Sequence, residues 1–322
     1  MEVRGYRFDA RNGRIPTMRT LRFIVDLLAR YRYNRFDFLF NVPVGSLEDD
    51  DGWEVSDFPS ESDLAKLAAY AEFQGISLVI NREVGPDAIE NSEGSYDFAN
   101  EAALLSRQEK TFVICPGTSA NKSLAGRVEN MRQNLENAER AVRSCSAKGM
   151  VLTDGGEGAG WEPLIASLPG IVLAGLFSTA GAKAAHMDLE KELNTVLDAP
   201  LGGYILKLGT LYLRGGAVRE GSSELYNILA NPIGYSRHPG LTDLILDEIS
   251  GIAAGVRIAA ERWIDRSPWA KEIVYSANLI DCACHRRDEA RLRAVRDEHG
   301  RVWRTRFREV GRIESMMKLP RF

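Results

Sequence analysis

Carboxylate, amide and arginine side chains follow a series of short apolar segments in the first half of the chain. They are Asp9 and Arg11; Asn41; Asn81, Arg82 and Glu83; Thr118, Ser119 and Asn121; and Asp154, Glu157 and Trp161. Such side chains exchange hydrogen bonds with the hydroxyls of a polyol, and an exposed tryptophan stacks on the apolar face of a sugar ring. The pattern predicts a site for a carbohydrate or another small molecule.

Two glutamates are the predicted acid and base of this site. Glu83 and Glu157 each follow an apolar segment, and Asp154 precedes Glu157 by three residues as an orienting group. Cleavage of a glycosidic bond needs one carboxylic acid to protonate the leaving oxygen, and a second carboxylate that acts as nucleophile or activates water. Because Glu83 is followed by Val-Gly-Pro, a solvated loop charge is the competing interpretation.

Glycines surround two of these carboxylates, in the segment Thr153-Asp-Gly-Gly-Glu-Gly-Ala-Gly-Trp161. They let the backbone approach a ligand or form an anion nest before a helix, and a merely flexible turn is the alternative. The segment matches no nucleotide-binding pattern, so no cofactor is expected. Cys282, Cys284 and His285 lie close together, but their spacing matches no common metal site.

An alternation of apolar strands and amphipathic helices positions these residues. Strands are predicted at 6–8, 36–40, 76–80, 111–115 and 150–153, and the clearest two strand-loop-helix units lie between Thr111 and Leu164. Glu90 to Ser95 is predicted as a surface loop, followed by a helix from Asp97 to Gln108. The alternation indicates an α/β fold with a parallel sheet, of the β/α-barrel type, whose active sites lie at the carboxyl ends of the strands.

The last third of the chain is predicted to be helical. We expect a barrel-like domain over residues 1–185 and a helical region over 186–322 that packs on it. The segment 286–322 has twice as many basic as acidic residues. Acidic residues are interleaved with the basic ones, which favours a solvated, salt-bridged helix over a nucleic-acid tail.

Composition indicates a soluble globular protein. The 322 residues are 44% hydrophobic and 27% charged, with a formal net charge of -4, which gives no sign of nucleic-acid binding. No signal peptide or membrane span is predicted, because the most apolar stretch, Ile165 to Ala185, is interrupted by Pro169, glycines and Lys183. With only four scattered cysteines, a cytoplasmic protein without membrane or nucleic-acid partners is expected.

Two of these segments resemble the bacterial β-N-acetylhexosaminidase-like proteins of glycoside hydrolase family 20. The family pattern P-G-T-S-x-W-x-S-L-A-G-R-x-x-N corresponds to Pro116-Gly-Thr-Ser-Ala-Asn-Lys-Ser-Leu-Ala-Gly-Arg127 with Asn130. Its T-D-W-G-D-x-G-H-W-Q-P-L corresponds to residues 153–164. Further similarities are Arg4-Gly5 with Asp9, Pro16-Thr17, Asn34, and the closing set Trp303, Arg304, Arg306, Arg308, Gly311 and Ser315.

The resemblance implies a TIM-like barrel, with Arg4 and Asp9 among the substrate-binding residues. It also implies an adjacent Asp-Glu pair at the end of the fourth strand, where Glu is the general acid and Asp orients the substrate acetamido group. This pair is not found: the only Asp-Glu dipeptides, Asp247-Glu248, Asp288-Glu289 and Asp297-Glu298, lie in the helical third. Asn121 and Gly155 replace tryptophans of the family, and Gly160 replaces a histidine.

The barrel is expected to be truncated. Only residues 81–110 separate the third predicted strand from the strand at Thr111, so strands four to six of the family are predicted to be missing. The exposed sheet edge would then be covered by the Asp97 helix, by the C-terminal helices or by another subunit of a homo-oligomer.

Three functions are compatible with these features. The first is a diverged glycoside hydrolase acting on a sugar or amino-sugar conjugate through Glu83, Glu157 and Asp154. The second is an inactive family-20 relative that serves as a carbohydrate-binding or partner-binding subunit. The third is an enzyme that modifies a sugar without hydrolysis.

Overall fold

A computed structural model describes residues 1–41, 58–81, 87–155, 158, 160–231, 234–285 and 288–320. It contains six strands, all paired in parallel: β1 (Val3–Asp9), β2 (Arg35–Leu39), β3 (Ser77–Ile80), β4 (Ala88–Asn91), β5 (Val113–Pro116) and β6 (Gly149–Gly155). They form one sheet in the order β3-β2-β1-β6-β5-β4. The predicted α/β class with a parallel sheet is confirmed.

Twelve α-helices lie in the described residues. They are α1 (Met18–Arg30), α2 (Glu61–Phe73), α3 (Ala99–Arg107), α4 (Val128–Ser144), α5 (Leu168–Ala180), α6 (Leu189–Leu197), α7 (Gly202–Leu208), α8 (Glu224–Ala230), α9 (Asp243–Glu261), α10 (Pro268–Cys284), α11 (Glu289–Arg306) and α12 (Arg312–Lys318). α1 and α2 each begin at a side-chain cap: Thr17 caps α1, and Ser60 forms a capping box with Asp63 in α2.

The strand at Ala88–Asn91 corrects the prediction that Glu90 to Ser95 is a surface loop. β4 pairs with β5 over four residues, from Ala88 opposite Val113 to Asn91 opposite Pro116. It was missed because it is short and only Ile89 is fully buried, so its hydrophobic pattern is weak.

The strand order places the four helices that connect neighbouring strands, α1 to α4, on one side of the sheet. Along β4-β5-β6-β1-β2-β3 the strands are neighbours in a single direction, and parallel crossovers are almost always right-handed. Successive right-handed crossovers in one direction put their helices on the same face, whereas a reversal of order would put them on both. β3 and β4 end the sheet and do not pair with each other within the described segments.

The two faces of the sheet differ in chemistry. One face is aromatic and aliphatic and belongs to the core: Tyr6, Phe8, Phe36, Phe38, Ile89, Ile114 and Leu152 are all buried there. The opposite face, which we call the inner face, carries Arg7 of β1, Asp37 of β2 and Glu90 of β4. Because strand side chains alternate, Gly5 and Asp9 share the inner face with Arg7.

The C-terminal helices dock onto the loop between β1 and α1. Pro16 and Phe307 form an antiparallel bridge, in which Arg308 donates its N–H to the Ile15 carbonyl and Thr17 donates to Arg306. These contacts join residues at the two ends of the chain. The division into a barrel-like domain over residues 1–185 and a helical region over 186–322 that packs on it stays a prediction.

One helical segment, Leu164–His186, is long and apolar enough to cross a membrane by length and composition. It comprises a 3-10 turn, α5 and a second 3-10 helix. In the most apolar 18-residue stretch of this segment, 78% is buried inside the fold. There, α5 packs against α4 and β6. A core helix of this kind is apolar all round because it is surrounded by other elements.

Candidate functional site

Four predicted site residues come together at the carboxyl edge, the edge of the sheet where the parallel strands end. Arg11 donates to both carboxylate oxygens of Asp9, from Nε at 2.9 Å and from Nη2 at 2.7 Å. Asn41 donates to the Arg11 carbonyl at 3.1 Å, and the Asn81 side-chain oxygen accepts from the Phe40 N–H at 2.8 Å. Arg11, Asn41 and Asn81 are exposed. We call these four residues the edge cluster.

A charged network lies below the edge cluster on the inner face. Arg7 Nη1 contacts Glu90 Oε1 at 2.7 Å, and its Nε lies 3.9 Å from Asp37. Asp37 itself accepts from Arg35, from Nε at 2.6 Å and from Nη2 at 3.1 Å. Arg7 and Asp37 are buried, whereas the Glu90 side chain is 49% exposed. The network therefore extends from the interior to solvent.

One edge of the Arg7 guanidinium is not used within the described residues. Its Nε and Nη2 atoms are buried and have no hydrogen-bond partner there. These two N–H groups lie side by side and form a fork that matches a pair of acceptor oxygens. Leaving buried donors unpaired is costly, so these two donors need an acceptor that the described residues do not supply.

The contact between Arg7 and Glu90 shows that the sheet curls toward its inner face. The strands that carry them, β1 and β4, are separated by β6 and β5. Three strand spacings amount to about 14 Å in a flat sheet. Side chains that stand upright from such a flat sheet would not meet, so the 2.7 Å contact favours a concave inner face.

Asp154 and Thr118 form a second cluster on the opposite, helix-covered face. The Asp154 carboxylate accepts three hydrogen bonds: from Tyr6 Oη at 2.7 Å, Thr118 Oγ1 at 2.9 Å and Ser167 Oγ at 3.0 Å. All four residues are buried. This carboxylate ties β1, β6 and the loop before α5 together through contacts within the protein. The role of Asp154 as the orienting group of a substrate stays a prediction.

Trp161 and Arg4, two further residues of the predicted site, have their hydrogen-bond partners within the protein. Trp161 is only 1% exposed and donates its Nε1–H to the Ser315 carbonyl at 3.0 Å, so it offers no stacking surface to a sugar. Arg4 lies at the amino end of β1, where it donates to the carbonyls of Arg32 and Met1. Neither side chain is placed to contact a ligand at the carboxyl edge.

The predicted acid and base, Glu83 and Glu157, lie outside the described residues. Their flanking residues are described: Asn81 is in the edge cluster, and Gly155 lies against the Asp9 backbone at the end of β6. Asn121 lies beside Gly158, and Gly158 belongs to the same glycine-rich segment as Glu157. The strands that precede the two glutamates in the sequence, β3 and β6, end at Ile80 and Gly155 on the carboxyl edge.

The segment 116–130, which includes Arg127 and Asn130, makes hydrogen bonds to the loop that follows β4. Arg127 makes two hydrogen bonds to the Glu93 carboxylate, at 3.0 and 2.8 Å, and both side chains are buried. Asn130 donates to the Ser92 carbonyl at 2.7 Å and accepts from the Gly94 N–H. Glu93 is therefore engaged as an acceptor and fixes the loop position.

Two of the segments that resemble family 20 contact each other in the interior: residues 153–164 and the closing set that ends at Ser315. Ser315 contacts the Gly160 carbonyl and His299 Nε2, and Tyr275 Oη lies 2.7 Å from His299 Nδ1. Burial lowers the pKa of His299 to about 4, with further lowering from Arg312 and Arg14. His299 is therefore neutral at pH 7, which suits Nδ1 as an acceptor for the Tyr275 hydroxyl.

No group of three or more histidine, cysteine or carboxylate side chains is arranged as a metal site in the described parts of the chain. Burial raises the pKa of the Cys282 and Cys284 thiols to about 12.

Sequence reasoning missed the inner-face residues Arg7, Asp37 and Glu90. A signal was present for two of them, because Arg7 stands between Tyr6 and Phe8, and Asp37 between Phe36 and Phe38. A charged residue at the centre of an apolar strand indicates that the second face of that strand is not covered by a hydrophobic layer. Glu90 gave no such signal, because β4 was not predicted.

No protein-family model matches the chain, and no curated protein matches its sequence. Among solved structures, the chain is similar to a GH138 enzyme targeting pectin rhamnogalacturonan II. The two are 8% identical, with a TM-score of 0.37, and the match covers 90% of this chain and 71% of that chain. A similarity at this level carries no argument about function.

Proposed function

We propose that this protein is a diverged glycoside hydrolase-like protein that acts on a sugar or amino-sugar conjugate at the carboxyl edge of its sheet. The observation that carries the proposal is the charged, concave inner face, on which Arg7 reaches Glu90 across two intervening strands. A sheet face that only supports a core would carry apolar side chains.

The chemistry of the inner face favours hydroxyl groups over an anion. The fork of Arg7 can donate to two neighbouring hydroxyl oxygens, while Glu90, whose side chain is half exposed, can accept from a hydroxyl of the same ligand. A carboxylate or phosphate at the fork would lie close to two acidic side chains and be repelled. A neutral sugar, with vicinal hydroxyls that both donate and accept, fits this arrangement.

We also propose that the sheet is a TIM-like barrel that lacks strands and is open between β3 and β4. The order of the strands is that of a barrel opened at one place, and the helices that join them lie on one side. The motif similarity to family 20 supports the same ancestry. In such a fold, the ligand lies where the strands end, above Arg7 and beside the edge cluster.

Within this proposal, Glu83 and Glu157 are the acid/base pair. Replacing either by glutamine keeps the shape of the side chain and removes its proton-transfer function, so the rate of hydrolysis should fall by about 10²- to 10⁴-fold. The measurement is turnover of a panel of p-nitrophenyl glycosides, including the N-acetylglucosaminide. Glu72→Gln, on the exposed surface of α2, is the matched control and should keep full activity.

Unchanged turnover in both Glu83→Gln and Glu157→Gln would contradict the proposed pair. A second candidate function is sugar binding without hydrolysis. Its support is that five carboxylates of the described site region already have strong partners: Asp9 with Arg11, Asp37 with Arg35, Glu90 with Arg7, Glu93 with Arg127, and Asp154 with three hydroxyls. Saturable binding with no turnover of any glycoside would select this alternative.

A further inference from the structure

Helix α9 carries a solvent-exposed stripe that the fold itself does not use. Leu244 is 77% exposed and Ile258 is 52% exposed, and Gly251 and Gly255 lie between them on the exposed surface. Steps of seven, four and three residues keep side chains on one face of an α-helix. We call these four residues the α9 stripe. The other side of α9 packs against α10, α7 and the 3-10 helix Leu211–Gly216.

The two glycines have no explanation within a single chain. A Cβ atom added at Gly251 or at Gly255 would meet no atom within 4 Å, so nothing in the protein requires the absence of a side chain there. Each glycine in a helix interior is less favourable than alanine by about 1 kcal/mol. Small residues flanked by exposed leucine and isoleucine allow close approach of a second backbone.

The charges along α9 are complementary to those of a reversed copy of the same helix. Asp247 lies in its first half and Arg262 follows its last residue, both exposed and on the same side as the α9 stripe, whereas the other charges of α9 pair within the chain: Asp243 with Arg237, Glu248 with Arg214, and Arg257 with Glu261. Antiparallel pairing about a two-fold axis between Gly251 and Gly255 brings Asp247 of each copy near Arg262 of the other. Parallel pairing would bring like charges together. In the antiparallel pair, the two-fold axis repeats the same contact between opposite charges at both ends of the helix pair.

We propose that the α9 stripe is a homodimer interface in which two copies of this protein pair their α9 helices antiparallel. Asp247 of each copy then lies within about one turn of the partner's Arg262. This surface differs from the sheet edge, for which a second subunit is one of three predicted covers, beside the Asp97 helix and the C-terminal helices. One helix pair buries less than a standard interface of about 1,600 Å², so we expect a dissociation constant on the order of 10 μM.

Sedimentation equilibrium of the full chain between about 1 and 100 μM tests this dimer. We expect the mass to rise with concentration from 35.7 kDa toward twice that value. Gly255→Leu should stay at the monomer mass, because its side chain blocks close approach of the helices. The same substitution should raise the thermal stability of the monomer, since leucine favours a helix more than glycine does. Loss of the dimer then cannot be due to unfolding.

A charge exchange separates self-pairing from binding of some other protein. Asp247→Arg and Arg262→Asp should each weaken the dimer by about tenfold, and the double variant should restore it, because both contacts of the two-fold pair are then reversed together. Leu104→Asp, at an exposed position on α3, is the control and should leave the dimer intact.

Three results would overturn the proposal. They are a wild-type protein that stays monomeric at about 100 μM, a Gly255→Leu variant that still dimerises, and a double charge exchange that fails to restore association.

Discussion

Glu162→Gln should destabilise the protein by about 3–5 kcal/mol, because it leaves the Arg14 guanidinium buried without its counter-charge. Arg14 Nη1 donates to Glu162 Oε1 at 2.8 Å and Nη2 donates to the Glu162 carbonyl at 2.9 Å. Both side chains are at most 1% exposed. A guanidinium does not give up its proton in a protein, so its charge would remain in the interior.

Arg14→Met should cost less, and its cost should depend on pH. Burial already raises the pKa of Glu162, while Arg14 lowers it, so removal of Arg14 raises that pKa further. A carboxylate can take up a proton and become neutral. An acid whose pKa is higher in the folded state binds more protons there, so the stability of Arg14→Met should fall as pH rises above about 4.5, the ordinary pKa of glutamate.

Urea unfolding of the two single variants and of Arg14→Met/Glu162→Gln measures this coupling. The double variant should be more stable than the sum of the single effects predicts, by about 1–3 kcal/mol, because no unpaired charge is left. Glu261→Gln, which breaks the exposed pair with Arg257, is the control and should change stability by less than about 1 kcal/mol. Simple additivity would contradict the assignment of a buried ion pair.

Asp154→Ala should cost about 3–5 kcal/mol of stability, the second large effect. The substitution removes the acceptor of three buried hydroxyls, and each buried polar group without a partner costs about 1–3 kcal/mol, part of which is recovered by new pairing. Tyr6→Phe and Thr118→Val each remove one of these hydrogen bonds and should cost about 1 kcal/mol.

The comparison with Asp154→Asn distinguishes a structural role from contact with a ligand. If Asp154 has a structural role, both Asp154→Asn and Asp154→Ala should lower the free energy of unfolding. The folded fraction of each variant should then bind sugar with the affinity of wild type. Asp265→Asn, at an exposed position, is the control for the substitution type and should leave stability unchanged. An Asp154→Asn protein with wild-type stability and no sugar affinity would return Asp154 to the ligand site.

Hydrophobic periodicity predicted most of the elements that bury an apolar stripe. The strands β1, β2, β5 and β6 lie close to their predicted positions, because each contributes buried apolar side chains. β4 was missed for the opposite reason: it is held by backbone pairing to β5 and contributes one buried apolar residue.

The candidate site was predicted only in part, because residue type does not show which face of an element a side chain occupies. Asp9, Arg11, Asn41 and Asn81 reach the carboxyl edge as their positions after strands predict. Asp154 also follows an apolar run, but β6 continues to Gly155, and the alternation directs Asp154 to the helix-covered face. Trp161 is buried by Ser315, a contact across 154 residues that local sequence does not reveal.

Calorimetric titration of a disaccharide of β-linked N-acetylglucosamine, into wild type and into two arginine variants of β1, tests the proposed site most directly. Arg7→Lys keeps the charge but removes the fork of donors, so the affinity should fall by about 10- to 100-fold. Arg4→Lys, at the opposite end of the same strand, should bind as wild type does. Equal affinities for all three proteins, or no saturable binding of this or other neutral sugars by wild type, would contradict a sugar site on the inner face.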